Sequence, residues 1–362
     1  MINDEKRYPL SVILPVHRSD LDVGRAIRSL LENTSLDLQI IVAANNDRRS
    51  ELRRINANVP DYPCISLINI QKAGKANAIN RALHYVKNKY VLIGDADTLF
   101  IKSGLSLCVK KMYADETILA ISGIVDPIAT NTISCVQKFE YRRIFGIFRP
   151  FWNLFNANMM VSGCAGIFKT EALFRVGLYD CRTLGEDFEI TLRLHDYYIR
   201  HDIPYKIEYV DVLFAKTDVP LTAGGLIKQR GRWFKGQVDV VWKYRRILFH
   251  PERYKNIFIP YLLAILFELF KTYLKWVSLY ITCIWISIVS ETPFFGMVLI
   301  SGILFVVFEC IFNICAIKHL KIKKKITIIG LTIVLTGIQF VLKDTNIILA
   351  IKLRMRKENK WE

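Results

Sequence analysis

The chain has 362 residues, a formal net charge of +17 and 52% hydrophobic residues, with a mean hydropathy of +0.24. The apolar excess is concentrated after residue 256, which excludes a simple soluble enzyme and predicts a membrane part. The basic balance suits nucleic acid, anionic lipid or phosphorylated substrates. Because no zinc-knuckle, recognition-helix or RNA-binding sequence pattern is present, nucleic acid is not an expected partner.

The cysteines and histidines exclude further classes. Eight cysteines are scattered without a CxxC pair, which fits a reduced cytosolic setting. Six histidines show no paired spacing, so a zinc site is not expected. Residues 1–7 are charged and lack an apolar stretch, so they predict neither a signal peptide nor a first membrane span.

Strand and helix patterns alternate through the first hundred residues. Short apolar runs predict strands, and amphipathic runs predict helices. The predicted elements are strands at 10–15, 38–43, 64–70 and 90–93, with helices at 22–33, 47–58 and from 72 onward. This alternation predicts parallel βαβ units, which bind ligands at the carboxyl ends of their strands.

Two acidic side chains, Asp95 and Asp97, directly follow the strand at 90–93. Carboxylates at this spacing suit a hard cation such as Mg²⁺ or Mn²⁺ shared with a substrate phosphate. Taken alone, the pair also fits a polar turn that ends a strand.

Gly74 and Lys75 stand where a loop meets a helix start. Backbone N–H groups and a lysine at such a place suit a diphosphate, although the spacing is not that of a P-loop. The alternative is a surface loop with a solvated lysine.

The second half opens with a predicted strand at 119–125. An aromatic and basic stretch follows at 136–160. It fits a helix on the membrane surface, a sugar channel lining or a helix packed on the sheet, and we favour the last. The small-residue loop around Cys164 would let a substrate approach the backbone closely.

Glu186 and Asp187 open a predicted helix that runs through His195. Two acids at a helix start either complement its dipole or supply a general base for an acceptor hydroxyl. A last strand is predicted at 206–214.

A QRGRW run occupies residues 229–233. Arg232 offers a planar fork for phosphate, and Trp233 offers a flat face for a sugar ring. The alternative is an amphipathic helix whose basic face meets lipid headgroups.

The C-terminal region predicts membrane elements. Residues 257–275 predict an interfacial helix because charged residues interrupt an apolar run. Two spans are predicted at 272–290 and 294–317. A third apolar stretch, 326–342, is either a span or a re-entrant or interfacial segment.

The basic loop 318–325 is expected on the cytoplasmic side by the positive-inside rule. That places the catalytic part there too. The chain is therefore divided into a catalytic domain at 1–250, the interfacial helix, a membrane region at 272–351 with two to three spans, and a basic tail at 352–362. The expected location is the inner or plasma membrane, as a multi-pass protein.

Four motifs in this order resemble glycosyltransferase family 2. The likeness is greatest to the membrane-embedded processive β-glycan synthases, such as cellulose, chitin, hyaluronan and poly-N-acetylglucosamine synthases. It covers residues 9–250 and, more loosely, the membrane region. The motifs are the opening strand Val12–Pro15, a DxD at Asp95–Asp97, a [TG]ED at Glu186–Asp187 and a QxxRW at Gln229–Trp233.

The resemblance implies an α/β GT-A fold with a Rossmann-like mixed sheet, followed by C-terminal transmembrane and interfacial helices. It also implies metal-dependent, inverting hexosyl transfer from a nucleoside-diphosphate sugar, most readily a UDP-sugar. The expected site comprises Asp187 and Glu186 as catalytic residues, Asp95, Lys75, Asn45, Gln229 and Arg232 for the donor, Trp233 and Cys164 for the acceptor, and Asp97 with Asp95 for Mg²⁺ or Mn²⁺.

The chain departs from this family at two places. An acidic pair often follows the second strand, whereas Asn45 and Asp47 stand there in this sequence. The spans that precede the catalytic domain in many processive synthases are not seen.

Three functions remain open at this point. The leading expectation is a polymerising synthase that extends a β-glycan or exopolysaccharide chain in a lipid membrane. The alternative is transfer of a single sugar onto a lipid-linked acceptor. An inactive scaffold subunit is disfavoured, because the acids and the arginine that catalysis needs are all present.

Overall fold

The computed structural model describes residues 7–71 and 74–265. Within them, one mixed sheet has the strand order β3-β2-β1-β4-β7-β6-β8-β5. The strands are β1 (Tyr8–Val16), β2 (Leu36–Asn45), β3 (Ile65–Ile70), β4 (Tyr90–Gly94), β5 (Thr98–Phe100), β6 (Ile118–Pro127), β7 (Ala165–Lys169) and β8 (Lys206–Thr217).

Helices cover both faces of this sheet. They are α1 (Val23–Leu31), α2 (Arg49–Ala57), α3 (Lys75–Leu83), α4 (Lys102–Ala114), α5 (Thr132–Arg143), α6 (Arg149–Asn153), α7 (Thr170–Arg175), α8 (Glu186–Arg200), α9 (Ala223–Lys243) and α10 (Lys255–Ala264). A π-helical turn (Ile144–Phe148) joins α5 to α6, and a 3-10 turn (Arg245–Phe249) follows α9.

The first four strands form a parallel half, as the sequence predicts. β1 lies between β2 and β4, and β3 adds outside β2. Their apolar runs are nearly continuous because helices bury both faces of a parallel sheet. Leu14 packs against α1 and α2 on one face, while its neighbour Ile13 packs against α3 on the other.

The second half mixes strand directions. β7 runs antiparallel between β4 and β6, whereas β8 runs parallel to β6. β5 pairs antiparallel with the end of β8. Sequence patterning does not predict β5, α4 or α7, because β5 has three residues and both helices are weakly patterned. The mixed α/β sheet of the expected GT-A type is present.

The aromatic stretch packs on this second half. Phe145 is buried beside Tyr209 of β8, which confirms the packed-helix interpretation for that residue. The side chain of Asn153 accepts a hydrogen bond from the Tyr209 N–H (2.7 Å), and Asn156 accepts one from the Ile207 N–H (2.9 Å). These side-chain amides pair with backbone N–H groups near the start of β8, whereas β5 pairs only with its end.

A third apolar cluster joins α8 to the C-terminal helices. Ile257 and Tyr261 of α10 are buried against Phe188 and Leu192 of α8. The predicted interfacial helix therefore packs on the domain over its described part. Residues 7–71 and 74–265 contain no helix long and apolar enough to cross a membrane. The spans predicted within 272–351 and the tail 352–362 lie outside the described residues.

Candidate active site

Several predicted site residues from the two halves of the sequence meet at the carboxyl edge of the parallel strands. Asp95 follows β4 directly, and its backbone N–H donates to the carbonyl of Cys164 at 3.2 Å. Because β7 runs antiparallel to β4, its start lies at the same edge. The loop before β7 is thereby brought against the acidic pair, which local sequence does not reveal.

Lys75, at the start of α3, links two of the predicted motifs. Its Nζ lies 2.6 Å from Asp95 Oδ1 and 3.6 Å from Glu186 Oε1. The same ammonium donates to the carbonyl of Gly163 at 3.0 Å. The Lys75 side chain is 11% exposed, so it is not a solvated surface lysine.

Electrostatics keep this lysine charged. Burial alone lowers the pKa of Lys75, but the carboxylates of Asp95 and Glu186 raise it above its ordinary value. Burial raises the pKa of Glu186, Lys75 opposes that change and Asp187 adds to it. The site therefore holds a fixed cation between acidic groups from two different elements.

Asn45 shapes the loop that presents Lys75. The Asn45 side chain is buried at the end of β2, and its Oδ1 accepts from the Gly74 N–H at 2.8 Å. Gly74 has a φ of 130°, a backbone angle that residues other than glycine rarely adopt. One oxygen of the predicted donor-binding Asn45 is thus engaged in holding the turn before α3.

The carboxylate of Asp187 is held by backbone donors. Its Oδ2 accepts from the Gly163 N–H at 3.2 Å, and its Oδ1 accepts from the Phe188 N–H at 2.8 Å. A Cβ on Gly163 would lie 3.0 Å from Asp187 Oδ2, so a larger residue here would crowd the carboxylate. Thr191 Oγ1 accepts from the Val161 N–H at 3.1 Å and secures the same loop to α8.

Helix α9, which carries the QRGRW run, packs closely against the start of α8. A Cβ on Gly236 would lie 2.5 Å from the backbone nitrogen of Gly185. Only a glycine pair permits this approach. The contact places α9 beside Glu186 and Asp187, the first two residues of α8.

His17, just after β1, is a site residue that the motifs do not single out. Burial and then Arg18 lower the pKa of His17 to about 4, with Arg232 adding to the decrease and Asp95 opposing it. The imidazole is therefore neutral at pH 7. Its signal in the sequence is its position after a predicted parallel strand.

The QRGRW side chains have separate surroundings. Gln229 Oε1 is buried and has no hydrogen-bond partner among the described residues. The guanidinium of Arg230 stacks on the ring of Trp233, 4.3 Å from its centroid, and pairs with Glu140 of α5. Arg232 lies within electrostatic reach of His17.

Asp97 provides the test of whether a divalent cation fits. Its Oδ1 is buried without a hydrogen-bond partner among the described residues. Burial, followed by the charges of Asp95 and Asp218, raises the pKa of Asp97 to about 7. An unpaired buried oxygen beside a second carboxylate is an arrangement that a cation stabilises.

The carboxylates at this edge suit a magnesium ion that also binds substrate phosphates better than an ion held by protein ligands alone. No group of three or more His, Cys, Asp or Glu side chains suited to a metal occurs in residues 7–71 and 74–265. Mg²⁺ is usually held by one or two carboxylates together with substrate phosphates. The residues Asp95 and Asp97 fit that pattern.

Cys164 belongs to the loop before β7, and its carbonyl accepts from the Asp95 N–H. Burial and then the charge of Asp95 raise the pKa of the Cys164 thiol to about 12. The thiol therefore stays protonated and is not a nucleophile at neutral pH. The contact of Cys164 with the acceptor stays a prediction.

The remaining turns of α8 carry buried polar groups with protein partners. Glu189 pairs with Arg193 and Lys243 and accepts from the Tyr244 hydroxyl at 2.9 Å. Further along, Asp196 accepts from the Tyr254 hydroxyl at 2.6 Å and pairs with Arg200 and Arg246.

Comparison with known proteins agrees with this arrangement. Residues 11–174 match the model for glycosyl transferase family 2. This part of the chain is therefore similar to family 2 glycosyl transferases. The predicted resemblance to this family is confirmed, while the roles of individual residues stay predictions.

The curated relatives include bacterial polysaccharide synthases. The chain is 30% identical over 174 residues to a poly-beta-1,6-N-acetyl-D-glucosamine synthase of Staphylococcus aureus, covering 47% of this chain and 40% of that protein. It is 28% identical over 238 residues to the synthase of the same name from Staphylococcus epidermidis, covering 64% and 55%. The chain thus matches about half the length of these relatives.

A solved structure shows the same fold. A mannosyltransferase from Pyrobaculum calidifontis, in complex with GDP-Man and Mn²⁺, superposes with a TM-score of 0.56 at 16% sequence identity. The match covers 97% of this chain and 88% of that one. It supports the mixed-sheet architecture described above.

Proposed function

We propose that this chain is a membrane-bound, metal-dependent, inverting glycosyltransferase that extends a β-linked exopolysaccharide from a nucleoside-diphosphate sugar. The observation that carries the proposal is the meeting of the DxD-type and ED-type acids at Lys75. This contact joins Lys75, Asp95 and the start of α8, which supports a ligand site at the carboxyl edge of the parallel strands.

The donor side is cationic where a diphosphate would lie. Lys75 and Arg232 supply positive charge. The unpaired Oε1 of Gln229 would instead accept from an N–H or O–H group of the donor. Asp95 and Asp97 would hold Mg²⁺ or Mn²⁺, which when bound stabilises the negative charge of the leaving diphosphate.

On the acceptor side, Asp187 acts as general base. The acceptor oxygen forms a bond to the anomeric carbon while the bond from that carbon to the diphosphate oxygen breaks. The hydroxyl proton passes to the Asp187 carboxylate, whose orientation is fixed by two backbone N–H groups. Attack opposite the leaving group inverts the anomeric centre. Trp233 and Cys164 would contact the acceptor sugar.

The relatives' names guide the choice of donor. Two of them are synthases of poly-β-1,6-N-acetylglucosamine, which supports UDP-N-acetylglucosamine as the first donor to test. The structural neighbour's complex with GDP-Man and Mn²⁺ supports a nucleotide sugar and a divalent metal. Residues 272–351 would anchor the chain in the inner or plasma membrane, with the catalytic domain on the cytoplasmic side.

The test is incorporation of labelled sugar. Membranes containing the full chain are given Mg²⁺ or Mn²⁺ and, separately, radiolabelled UDP-N-acetylglucosamine, other UDP-sugars and GDP-mannose, and the products are sized. A large product from one donor, absent with Asp187→Asn, supports the proposal. Label only in a small, organic-extractable product replaces it with single transfer to a lipid-linked acceptor. No incorporation from any donor contradicts both.

A further inference from the structure

Arg230 of α9 makes two contacts that no step of the proposed reaction uses. Its guanidinium carbon lies 4.3 Å from the centroid of the Trp233 ring, and its charge pairs with Glu140 of α5. Residues three apart are neighbours on a helix surface, so Arg230 reaches the ring from within α9. Glu140 lies 90 residues away in the chain, so only the fold brings it to Arg230. The carboxylate, the guanidinium and the ring therefore form one connected unit across two helices.

The Glu140–Arg230 pair is largely withdrawn from solvent. The two side chains are 25% and 17% exposed, so salt screens this pair less than it screens a surface pair. A guanidinium has a planar face that stacks on an aromatic ring, and N–H groups at its edge that bind a carboxylate. Arg230 can therefore use its edge for Glu140 and its face for Trp233 at the same time. The carboxylate fixes the guanidinium, and the guanidinium in turn restricts the ring.

Helix α5 is attached to the start of α9 by contacts other than this pair. Gln137 Nε2 donates to the carbonyl of Pro220 at 2.7 Å, and Asn131 Nδ2 donates to the carbonyl of Leu221 at 2.8 Å. Both carbonyls lie just before α9. Because these hydrogen bonds remain when the ion pair is removed, the two helices should stay together in a variant of Glu140. The pair is therefore available for a role other than joining the helices.

The pair borders the candidate active site. Burial and then the nearby Cys164 raise the pKa of Tyr141, the residue after Glu140, whereas Arg230 lowers it. The Tyr141 hydroxyl is thus within electrostatic reach of both the loop before β7 and Arg230. On α9, Arg230 directly follows Gln229, whose buried Oε1 has no hydrogen-bond partner among the described residues. The ion pair therefore lies beside groups that belong to the site.

We propose that Glu140 and Arg230 are positioning residues that hold the indole ring of Trp233 in one orientation for stacking on the acceptor sugar. The guanidinium covers one face of the ring, which leaves the opposite face for the sugar. A ring that is held in advance loses less conformational entropy when the sugar binds. The inference rests on the proposed function, because it concerns the acceptor side of the same site.

The experiment measures acceptor use and donor hydrolysis in the full-length protein. The probes are a soluble β-1,6-linked N-acetylglucosamine pentamer as acceptor and the donor that the labelling panel identifies. Arg230→Lys keeps a positive charge for Glu140 but removes the planar face, whereas Glu140→Gln keeps the shape and removes the charge that holds Arg230. Glu208→Gln is the matched control, because Glu208, near the start of β8, pairs with Lys111 of α4 at the opposite edge of the sheet.

We expect the KM for the pentamer to rise about fivefold in Arg230→Lys and in Glu140→Gln, because the ring must then be ordered when the sugar binds. Transfer at saturating pentamer, and hydrolysis of the donor without acceptor, should stay within about twofold of wild type. Glu208→Gln should leave all three quantities within about twofold. Because KM does not depend on the amount of folded enzyme, a variant of reduced yield still gives a result.

An unchanged KM for the pentamer in either variant overturns the positioning role and leaves the proposed function intact. In Arg230→Lys it would show that charge alone is sufficient, and in Glu140→Gln that Arg230 needs no carboxylate partner. Loss of donor hydrolysis in proportion to transfer would make the pair structural and also overturns the inference. A wild type that does not use the pentamer contradicts the proposed function, and this inference with it.

Discussion

Acidic residues occur both in the first turn of α8 and further along the same helix, but their surroundings differ. Glu186 and Asp187 face the carboxyl edge of the sheet, where Asp97 Oδ1 has no hydrogen-bond partner among the described residues. Glu189, further along, is fully buried and bound by arginine, lysine and tyrosine side chains. The first turn of α8 therefore belongs to the candidate site, whereas Glu189 is enclosed by basic and hydroxyl side chains that hold α8 to its neighbours.

This difference shows that residue type alone does not identify the site. A buried acid that is enclosed by charged and hydroxyl side chains contributes to the fold, because removing it leaves those side chains unpaired. A sheet edge where an acceptor atom is unpaired, carboxylates lie close together and a buried lysine is charged is instead suited to binding a ligand.

Asp97→Asn should lower metal-stimulated sugar transfer by ~10²–10³-fold, because a neutral amide replaces the buried carboxylate that would hold the cation. The measurement is the transfer rate as a function of Mg²⁺ or Mn²⁺ concentration. Asp115→Asn, at the opposite edge of the sheet, is the control and should leave the rate within about twofold. An unchanged metal response in Asp97→Asn would remove this residue from the metal site.

The pH dependence of stability should report the buried His195. Its Nε2 donates to the Asn158 carbonyl at 3.0 Å, and its Nδ1 accepts from the Tyr205 hydroxyl at 2.6 Å. Burial lowers the pKa of His195 from 6.5 to about 4. Above pH 6.5 both states are neutral, so the residue has no effect on the pH dependence there.

Below pH 6.5 the imidazole of His195 takes up a proton in the unfolded chain, whereas in the folded protein it stays neutral down to about pH 4. The free energy of unfolding should therefore fall by up to ~3 kcal/mol between pH 6.5 and 4 on account of this residue. Denaturant unfolding of the wild type and His195→Gln at several pH values measures it. Parallel curves for the two proteins would show that His195 does not titrate this way.

Glu189→Gln should lower the free energy of unfolding by about 2 kcal/mol, since Arg193 loses its charge partner and Lys243 keeps only Asp180. The estimate lies below the usual value for a buried pair because Lys243 is 38% exposed. Transfer per folded molecule should be nearly unchanged. A variant of normal stability that has lost transfer would place Glu189 in the site instead.

Gly236→Ala should cost about 1–2 kcal/mol of stability and reduce transfer, because the added methyl group forces α9 away from Gly185. Gly224→Ala, in the first turn of α9, meets no atom within 4 Å and is the matched control. Thermal unfolding and transfer assays of both variants check this. Equal behaviour of the two would contradict the close packing of α8 and α9.

The parallel half of the fold was accessible from sequence because strands buried on both faces are continuous apolar runs. The acidic pair after β4 could be placed for the same reason. What sequence could not supply were contacts made by tertiary packing. Lys75 reaches Glu186 only because β7 and α8 fold back to the edge that α3 approaches.

His17 and Glu189 show the same limit from two sides. His17 belongs to no motif and enters the site through the position of β1. Glu189 lies two residues after Asp187, and only the location of Lys243 and Tyr244 distinguishes its role. Partners distant in the chain decide the function of both residues, so local pattern could not assign them.

The most direct measurement compares wild type and Asp187→Asn for both donor binding and sugar transfer. Calorimetry with the donor that the labelling panel identifies gives the dissociation constant, and incorporation of label gives the rate. We predict that the variant binds donor within about threefold of wild type but transfers ~10²–10⁴-fold more slowly, because only the acceptor proton has lost its base. Equal loss of binding and transfer, or unchanged transfer, would contradict the assignment of Asp187 as the general base.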